Sequence, residues 1–257
     1  MNDELYSRQI LFPPIGEAGQ ERIGRGSVFV AGCGAVGTAI ASHLARAGVG
    51  RLVIADFDRV ALSNLPRQTL FDRRDALDDR PKVEAAKKRL IRINPDVTVE
   101  AREIRIGPEN VEGLARGADV IADACDSVPL RFCLNDAALK LAIPWVYTGV
   151  IAGVGHGMTI PAGGCPCLRC YLSEPPPVGA VATCSMAGVI GPAVACIAAL
   201  SAAEILRFLT GHPPVNVGRL TVVDIWNNRH RHVLVEPDPD CPACGAGRFE
   251  FLEGEKK

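Results

Sequence analysis

The chain carries no block of like charge. Its 28 Lys and Arg stand against 29 Asp and Glu in 257 residues, a formal net charge of −1, so no global field draws it onto nucleic acid or a membrane surface, and only a local basic pocket is left open. It has no internal repeat and no low-complexity tract. The N-terminus, MNDELYSRQILFPPIGEAG, lacks a basic stretch followed by an apolar run, so no secretory signal is expected and the protein reads as cytoplasmic. Aromatic residues are few, at 5%, within an otherwise ordinary globular composition that is 48% apolar. The five histidines fall in neither metal-ligand nor triad spacing and read as surface or core residues. A membrane span is absent too. The uncharged run AGVIGPAVACIAALSAA, Ala187 to Ala203, approaches the necessary length, but Gly188, Gly191 and Pro192 interrupt it, its residues are mostly small, and it passes into EILRFL. A buried core or subunit-interface helix is expected there, with Pro192 in its first turn.

Cysteine is not scarce. In a reducing compartment, ten cysteines are better read as metal ligands, reactive thiols or core fillers than as a disulfide framework. Cys167-Leu-Arg-Cys170 and Cys241-Pro-Ala-Cys244 are two C-x-x-C knuckles. Four thiolates so paired match a closed tetrahedral zinc site with no open ligand position, hence a structural one that pins the C-terminal tail to the region after the fifth strand. Cys165 offers an alternative ligand through C-x-C. Cys33, Cys125, Cys133 and Cys196 are assigned to packing. Cys184 sits between the proline-rich EPPPVGA and the small-residue helix, near a helix N-terminus that could lower its pKa; a chemical role and simple burial carry near-equal weight.

The length suits one large domain, residues 1–257, by the usual prior of roughly 100–200 residues per domain. Short apolar runs alternate with helical patterns: SVFVAG, RLVIAD, VTVEAR, ADVIADAC and IPWVYTGV as strands, AVGTAIASHLARAGVG, PKVEAAKKRLIRIN and PLRFCLNDAALKLA as helices. That order predicts an α/β, Rossmann-like doubly wound sheet, parallel through its N-terminal half. Beyond Val150 the stretches IAGVGHGMTI, GRLTVVDIW and RHRHVLVE predict antiparallel strands that extend it. Residues 27–150 thus form a nucleotide-binding half and 151–257 the remainder.

Gly32-Cys33-Gly34-Ala35-Val36-Gly37 is G-x-G-x-x-G placed after a strand and opening a helix, with Asp56 at the end of the next strand. Such glycines let backbone approach a phosphate or ribose closely, the helix N-terminus favours an anion, and the carboxylate can bond ribose hydroxyls. The motif alone does not separate NAD, FAD and ATP. The tract after it, ADFDRVALSNLPRQ, adds Asp58, Asn64, Arg67 and Gln68, with Lys82 further on. A nicotinamide enzyme has little use for this set, whereas a triphosphate does, because Arg offers a planar fork to phosphate oxygens and Lys a compact point charge. Arg73, Arg74, Asp78 and Asp79 read as a solvated surface run.

With YSRQI, VAGCGAVG, ADFDRVALSNLPRQ, PKVEAAKKRL, RINP, DACDS and the two cysteine pairs, the chain resembles the ThiF/MoeB/HesA family, the molybdopterin-synthase and thiamine-biosynthesis adenylyltransferases related to ubiquitin-activating enzymes, from about Tyr6 to Cys244. The resemblance implies that ATP adenylates the C-terminal glycine of a ubiquitin-like sulfur-carrier protein ending in Gly-Gly. It implies Asp56 as the ribose ligand, Asn64, Arg67 and Lys82 as phosphate contacts, and Asp126 as the essential carboxylate near magnesium. It implies Arg8 as an arginine reaching the ATP of the other subunit of a homodimer. It favours Cys167 and Cys170 over Cys165 as zinc ligands, and it sets Cys184 where some relatives carry a cysteine that bonds the activated carrier or moves sulfur. The family usually has Asn where this chain has Ser127. Asp126 can also serve as the cap of the helix that begins near Pro129. No rhodanese domain is expected after the zinc tail, so sulfur is expected from a separate sulfurtransferase or cysteine desulfurase.

The chemistry needs no general base, since the attacking carboxylate is already ionised; what it needs is alignment of two anions and fixed positive charge. Three other readings stand beside it, one of them a non-catalytic, zinc-stabilised interaction module with a vestigial nucleotide site, which intact Asp56, Arg67, Lys82 and Asp126 argue against. An NAD-dependent oxidoreductase is favoured by the glycine turn alone, and ATP-dependent activation of a peptide or a tRNA base would change only the acceptor.

Overall fold

A computed structural model describes residues 4–177 and 187–253. The chain starts with two helices, α1 (Ser7–Ile10) and α2 (Gly16–Arg25). They are tied down by the residues of YSRQI and RINP: buried Asn94 donates through Nδ2 to the Tyr6 hydroxyl and to the Ala45 carbonyl, each at 2.7 Å, and Gln9 donates to the Ala47 carbonyl at 3.0 Å. Two of the sequence stretches that suggested a family therefore latch the N-terminal arm to the body of the molecule.

Strand β1 (Ser27–Ala31) is buried along its whole length, as a continuous apolar run in the middle of a parallel sheet must be. It pairs in parallel with β2 (Arg51–Asp56) on one side and β4 (Val120–Asp123) on the other. Outside these lie β3 (Thr98–Glu103), parallel to β2, and β5 (Trp145–Ile151), parallel to β4. Parallel neighbours require crossovers, and helices α3 (Ala35–Ala47), α5 (Lys82–Ile93) and α7 (Val128–Leu141) supply three of them. The short helices α4 (Arg73–Leu77) and α6 (Val111–Ala115) fill the remaining loops. After β5 the direction alternates. Strands β6 (Val154–Ile160), β7 (Arg219–Asp224) and β8 (Arg229–Leu234) add on as antiparallel neighbours, giving one eight-stranded sheet in the order β3-β2-β1-β4-β5-β6-β7-β8.

Each face of the sheet has its own core. On one side Val28, Val30, Ile54 and Leu52 meet α3, α5 and the long helix α9 (Gly191–Leu209); on the other Phe29, Val53 and Ile121 meet α6, α7 and the cysteine-bearing helix α8 (Leu168–Tyr171). Helix α9 begins with Pro192 in its first turn, as expected from a residue with no N–H to lose there. It is the one helix among the described residues long and apolar enough to cross a bilayer, and half of it is buried inside the molecule. Ala193, Val194, Ile197, Ala198, Ala202 and Ile205 form that buried stripe, and a core helix is the physical reading.

The glycine turn fixes how β1 hands over to α3. Gly32 has φ of 105°, and a Cβ there would lie 2.7 Å from the Ala124 carbonyl oxygen; a Cβ at Gly37 would lie 2.0 Å from the Gly32 carbonyl oxygen. Both positions exclude any side chain. Gly34 is different, because its Cβ would meet only Gln68 Nε2 at 3.9 Å. We expect Gly37→Ala to cost about 2–3 kcal/mol through overpacking and to lower the melting temperature by roughly 5–10 °C. Gly34→Ala should melt within about 2 °C of the parent. Equal thermal losses in the two variants would contradict this division.

Candidate active site

A cavity of about 750 Å³ opens at the carboxyl ends of β1, β2, β4 and β5, where open α/β sheets bind their ligands. Gly32, Gly34, Ala35 and Val36 form one wall. Asp56 stands beside them at the end of β2, and its carboxylate is already oriented: Oδ2 accepts from the Cys33 amide at 2.6 Å and Oδ1 from the Asp58 amide at 2.8 Å.

The tract that follows Asp56 folds back onto the same cavity. A single 3-10 turn, Leu62–Asn64, is closed by Asn64, whose Oδ1 accepts from the Ala61 amide at 2.9 Å. Arg67 comes next, with Nη1 donating to the Ser63 carbonyl at 2.7 Å. Gln68 is only 4% exposed, and its Oε1 has no hydrogen-bond partner among the described residues. Lys82 opens α5 with its side chain 8% exposed, and its Nζ lies 2.7 Å from Asp58 Oδ2. A buried ammonium needs an anion, and Asp58, half in solvent, supplies one.

Asp126 lies on the turn between β4 and α7, exposed, lining the cavity, and without a hydrogen bond or ion pair among the described residues. It does not cap α7, contrary to one sequence reading. Ser127 does so, its hydroxyl accepting from the Leu130 amide at 3.4 Å. The hydroxyl reaches back to the helix end, and the carboxylate one residue earlier is left facing the cavity. Cys125, assigned from sequence to packing, is half-buried and also lines the cavity.

The other half of the cavity holds residues that sequence reasoning missed. Arg131, one turn into α7, places Nε 3.2 Å from Oδ2 of the fully buried Asp123. Burial pushes the Asp123 carboxyl up against the pull of Arg131. Burial works most strongly against the Arg131 charge, but Asp123, Cys125 and Tyr147 together outweigh it and hold the guanidinium protonated. The same guanidinium lies 5.1 Å from the Tyr147 ring centroid. The Tyr147 hydroxyl lies 3.0 Å from His156 Nε2, and burial raises its pKa to about 12. His156 belongs neither to the surface nor to the core proper; it lines the cavity, and burial followed by the nearby Arg131 charge lowers its pKa to about 4. No spacing rule could have found these residues. They meet because β4, α7, β5 and β6 are neighbours in the sheet, a fact of topology.

Of the remaining expected site residues, Gly37 supports the turn from behind, outside the cavity lining. Arg8 is exposed on α1 and does not line the cavity of its own chain. Cys184 lies outside the described residues.

The cysteine knuckles converge on the face of the sheet covered by α7. The sulfurs of Cys167, Cys170, Cys241 and Cys244 all lie within 4.8 Å of one another, with Cys167 and Cys241 at 3.6 Å and Cys170 and Cys244 at 3.4 Å. A tetrahedron with Zn–S bonds of about 2.3 Å has edges of about 3.8 Å, so the four thiolates fit zinc with no place left for substrate. Cys165 is exposed and outside the cluster. Between the knuckle residues Arg169 pairs with Glu250 at 3.0 Å, and Phe251 packs on Phe132 of α7 at 4.9 Å between ring centroids.

Comparison with known proteins agrees with this geometry. The profile of the ThiF family matches residues 6–243. The sulfur carrier protein ThiS adenylyltransferase of Bacillus subtilis is 41% identical over 254 residues, covering 98% of this chain and 74% of the relative. The sulfur carrier protein adenylyltransferase of Thermus thermophilus is 40% identical over 247 residues, covering 94% of this chain and 90% of the relative. Among solved structures, E. coli MccB with ATP superposes with a TM-score of 0.84 at 21% identity over 95% of this chain and 75% of that one, a likeness of fold.

Two outcomes test the site's static features. Between pH 6.5, where imidazole titrates in the unfolded chain, and about 4, where His156 does so in the fold, the folded state binds fewer protons. Stability should therefore fall as pH drops through that window, and thermal melts of H156Q should lose part of the decline; identical profiles would exclude His156 as its source. Stripping zinc, or Cys241→Ser, should lower the melting temperature by on the order of 10 °C and expose the segment after Val235 to protease first. An unchanged melt would show the cluster holds no stabilising metal.

Proposed function

The chain belongs to the ThiF family, and on that premise we propose that it adenylates the C-terminal glycine carboxylate of a ubiquitin-like sulfur-carrier protein, consuming ATP and releasing pyrophosphate. One observation carries the reading: a single cavity gathers an oriented carboxylate at a strand end (Asp56), a glycine wall, Asn64, Arg67 and Lys82, and an unengaged carboxylate, Asp126. A redox coenzyme would leave the cations without a task. The two relatives at about 40% identity carry carrier adenylation in their names.

In this reading Asp56 holds the ribose, and Asn64, Gln68, Arg67 and Lys82 receive the phosphates, Asp58 giving up part of its hold on Lys82. The acceptor carboxylate attacks the α-phosphorus, the bond to the bridging oxygen of the β-phosphate breaks, and pyrophosphate leaves as an acyl adenylate forms. No proton has to be removed beforehand. The barrier is repulsion between anions, which the fixed cations lower. Asp126 fits a magnesium ligand, being exposed to the cavity and free of partners among the described residues, and magnesium there would neutralise phosphate charge.

The further assignments belong to the same proposal. Residues 27–150 and 151–257 act as the nucleotide and carrier halves of one cytoplasmic domain, and zinc is structural. Arg8, remote from its own cavity, reaches that of a second copy in a homodimer. Sulfur comes from a separate sulfurtransferase or cysteine desulfurase, in thiamine, molybdopterin or a related biosynthesis, with Cys184 a candidate participant.

The test is carrier-dependent exchange of pyrophosphate into ATP. Wild type should exchange only with a carrier ending in Gly-Gly, and Asp126→Ala and Arg67→Ala should each lower the rate roughly 10²–10³-fold. Absence of exchange with every Gly-Gly carrier supplied, or full activity in both variants, would defeat the proposal.

A further inference from the structure

Asp126 owes its place to its neighbours, because it has no hydrogen bond or ion pair of its own among the described residues. The turn that carries it is held at three points by buried groups. The Cys125 amide donates to Asp123 Oδ1 at 2.9 Å. Arg131 Nη2 donates to the Cys125 carbonyl at 2.8 Å and to the Thr148 carbonyl of β5 at 3.1 Å. Its Nε lies 3.2 Å from Asp123 Oδ2. One guanidinium thus joins the end of β4, the backbone one residue before Asp126, the first turn of α7, and the adjacent strand.

We propose that Arg131 is a positioning residue for the adenylation step, clamping the Cys125 carbonyl between Asp123 and Thr148 so that the Asp126 carboxylate stays aimed into the cavity. Guanidinium suits this task because its planar fork serves several acceptors at once, which an ammonium cannot do in the same geometry. The charge is balanced inside the fold by Asp123, fully buried at the strand end. The pair therefore fixes a turn without adding net charge to the site. The proposal rests on the adenylation reading for its kinetic effect, while its geometric claim stands apart from any activity.

The variants follow from the pairing. Arg131→Ala alone would strand a buried carboxylate and could unfold the chain, so the informative changes are the neutral pair D123N/R131Q and the conservative R131K. Hydrogen exchange needs no substrate: amides of residues 124–127 should exchange at least tenfold faster in both variants, with melting close to the parent, and unchanged protection would overturn the clamp. In the exchange reaction the neutral pair should lower kcat roughly 10–100-fold with little change in KM for ATP. Adding D126A to that background should cost at least tenfold less than the roughly 10²–10³-fold it costs in wild type. A D126A cost equal in both backgrounds would overturn the positioning role. If wild type itself shows no exchange, the adenylation reading fails, and the amide protection still decides the clamp.

Discussion

Everything at the site depends on how closely three pieces of backbone approach one another. The end of β1, the start of α3 and the turn after β4 meet at Gly32, Gly37 and Ala124, with no room for a side chain between them. That contact brings the end of β4 alongside the end of β1, and β2 lies on the other side of β1 by parallel pairing. Asp56 and Asp126, seventy positions apart in the sequence, therefore face a single cavity. Two carboxylate–cation pairs then set its polar walls. Lys82 with Asp58 sets a cation on one wall, and Arg131 with Asp123 stiffens the opposite turn.

These pairs illustrate two uses of the same interaction. Asp58 is about half exposed and Lys82 is not, so an incoming anion can displace the carboxylate into water at modest cost, while the ammonium remains where it was. Asp123 has no exposure at all. Its pairing with Arg131 has no solvent to retreat to, and such a pair serves geometry better than it serves net stability.

The parallel part of the sheet was readable from residues because the signals there are local. Apolar runs ending in glycine became β1, and the run ending in Asp56 became β2 with the acid at its tip. Helix α5 begins at Lys82, just after Pro81, as a proline at the start of a helical pattern suggests. The cysteine knuckles were legible for the same reason, since two short spacings define four ligands. What sequence could not supply was the partnership of Arg131, Tyr147 and His156. Each sits in an unremarkable pattern, and their proximity arises from strand order, including the reversal of direction between β5 and β6. The alternative role of Asp126 as the cap of α7 falls to Ser127 instead, because aspartate and serine compete for the same helix end and only backbone geometry decides which turns inward.

The cysteine cluster also constrains when the molecule can be finished. Cys167 and Cys241 are 74 residues apart, and that interval contains α9, which packs on the parallel strands, and both final antiparallel strands. A metal bound by all four sulfurs would tie residues 167–170 to 241–244, so that junction could close only once Cys244 had emerged from the ribosome.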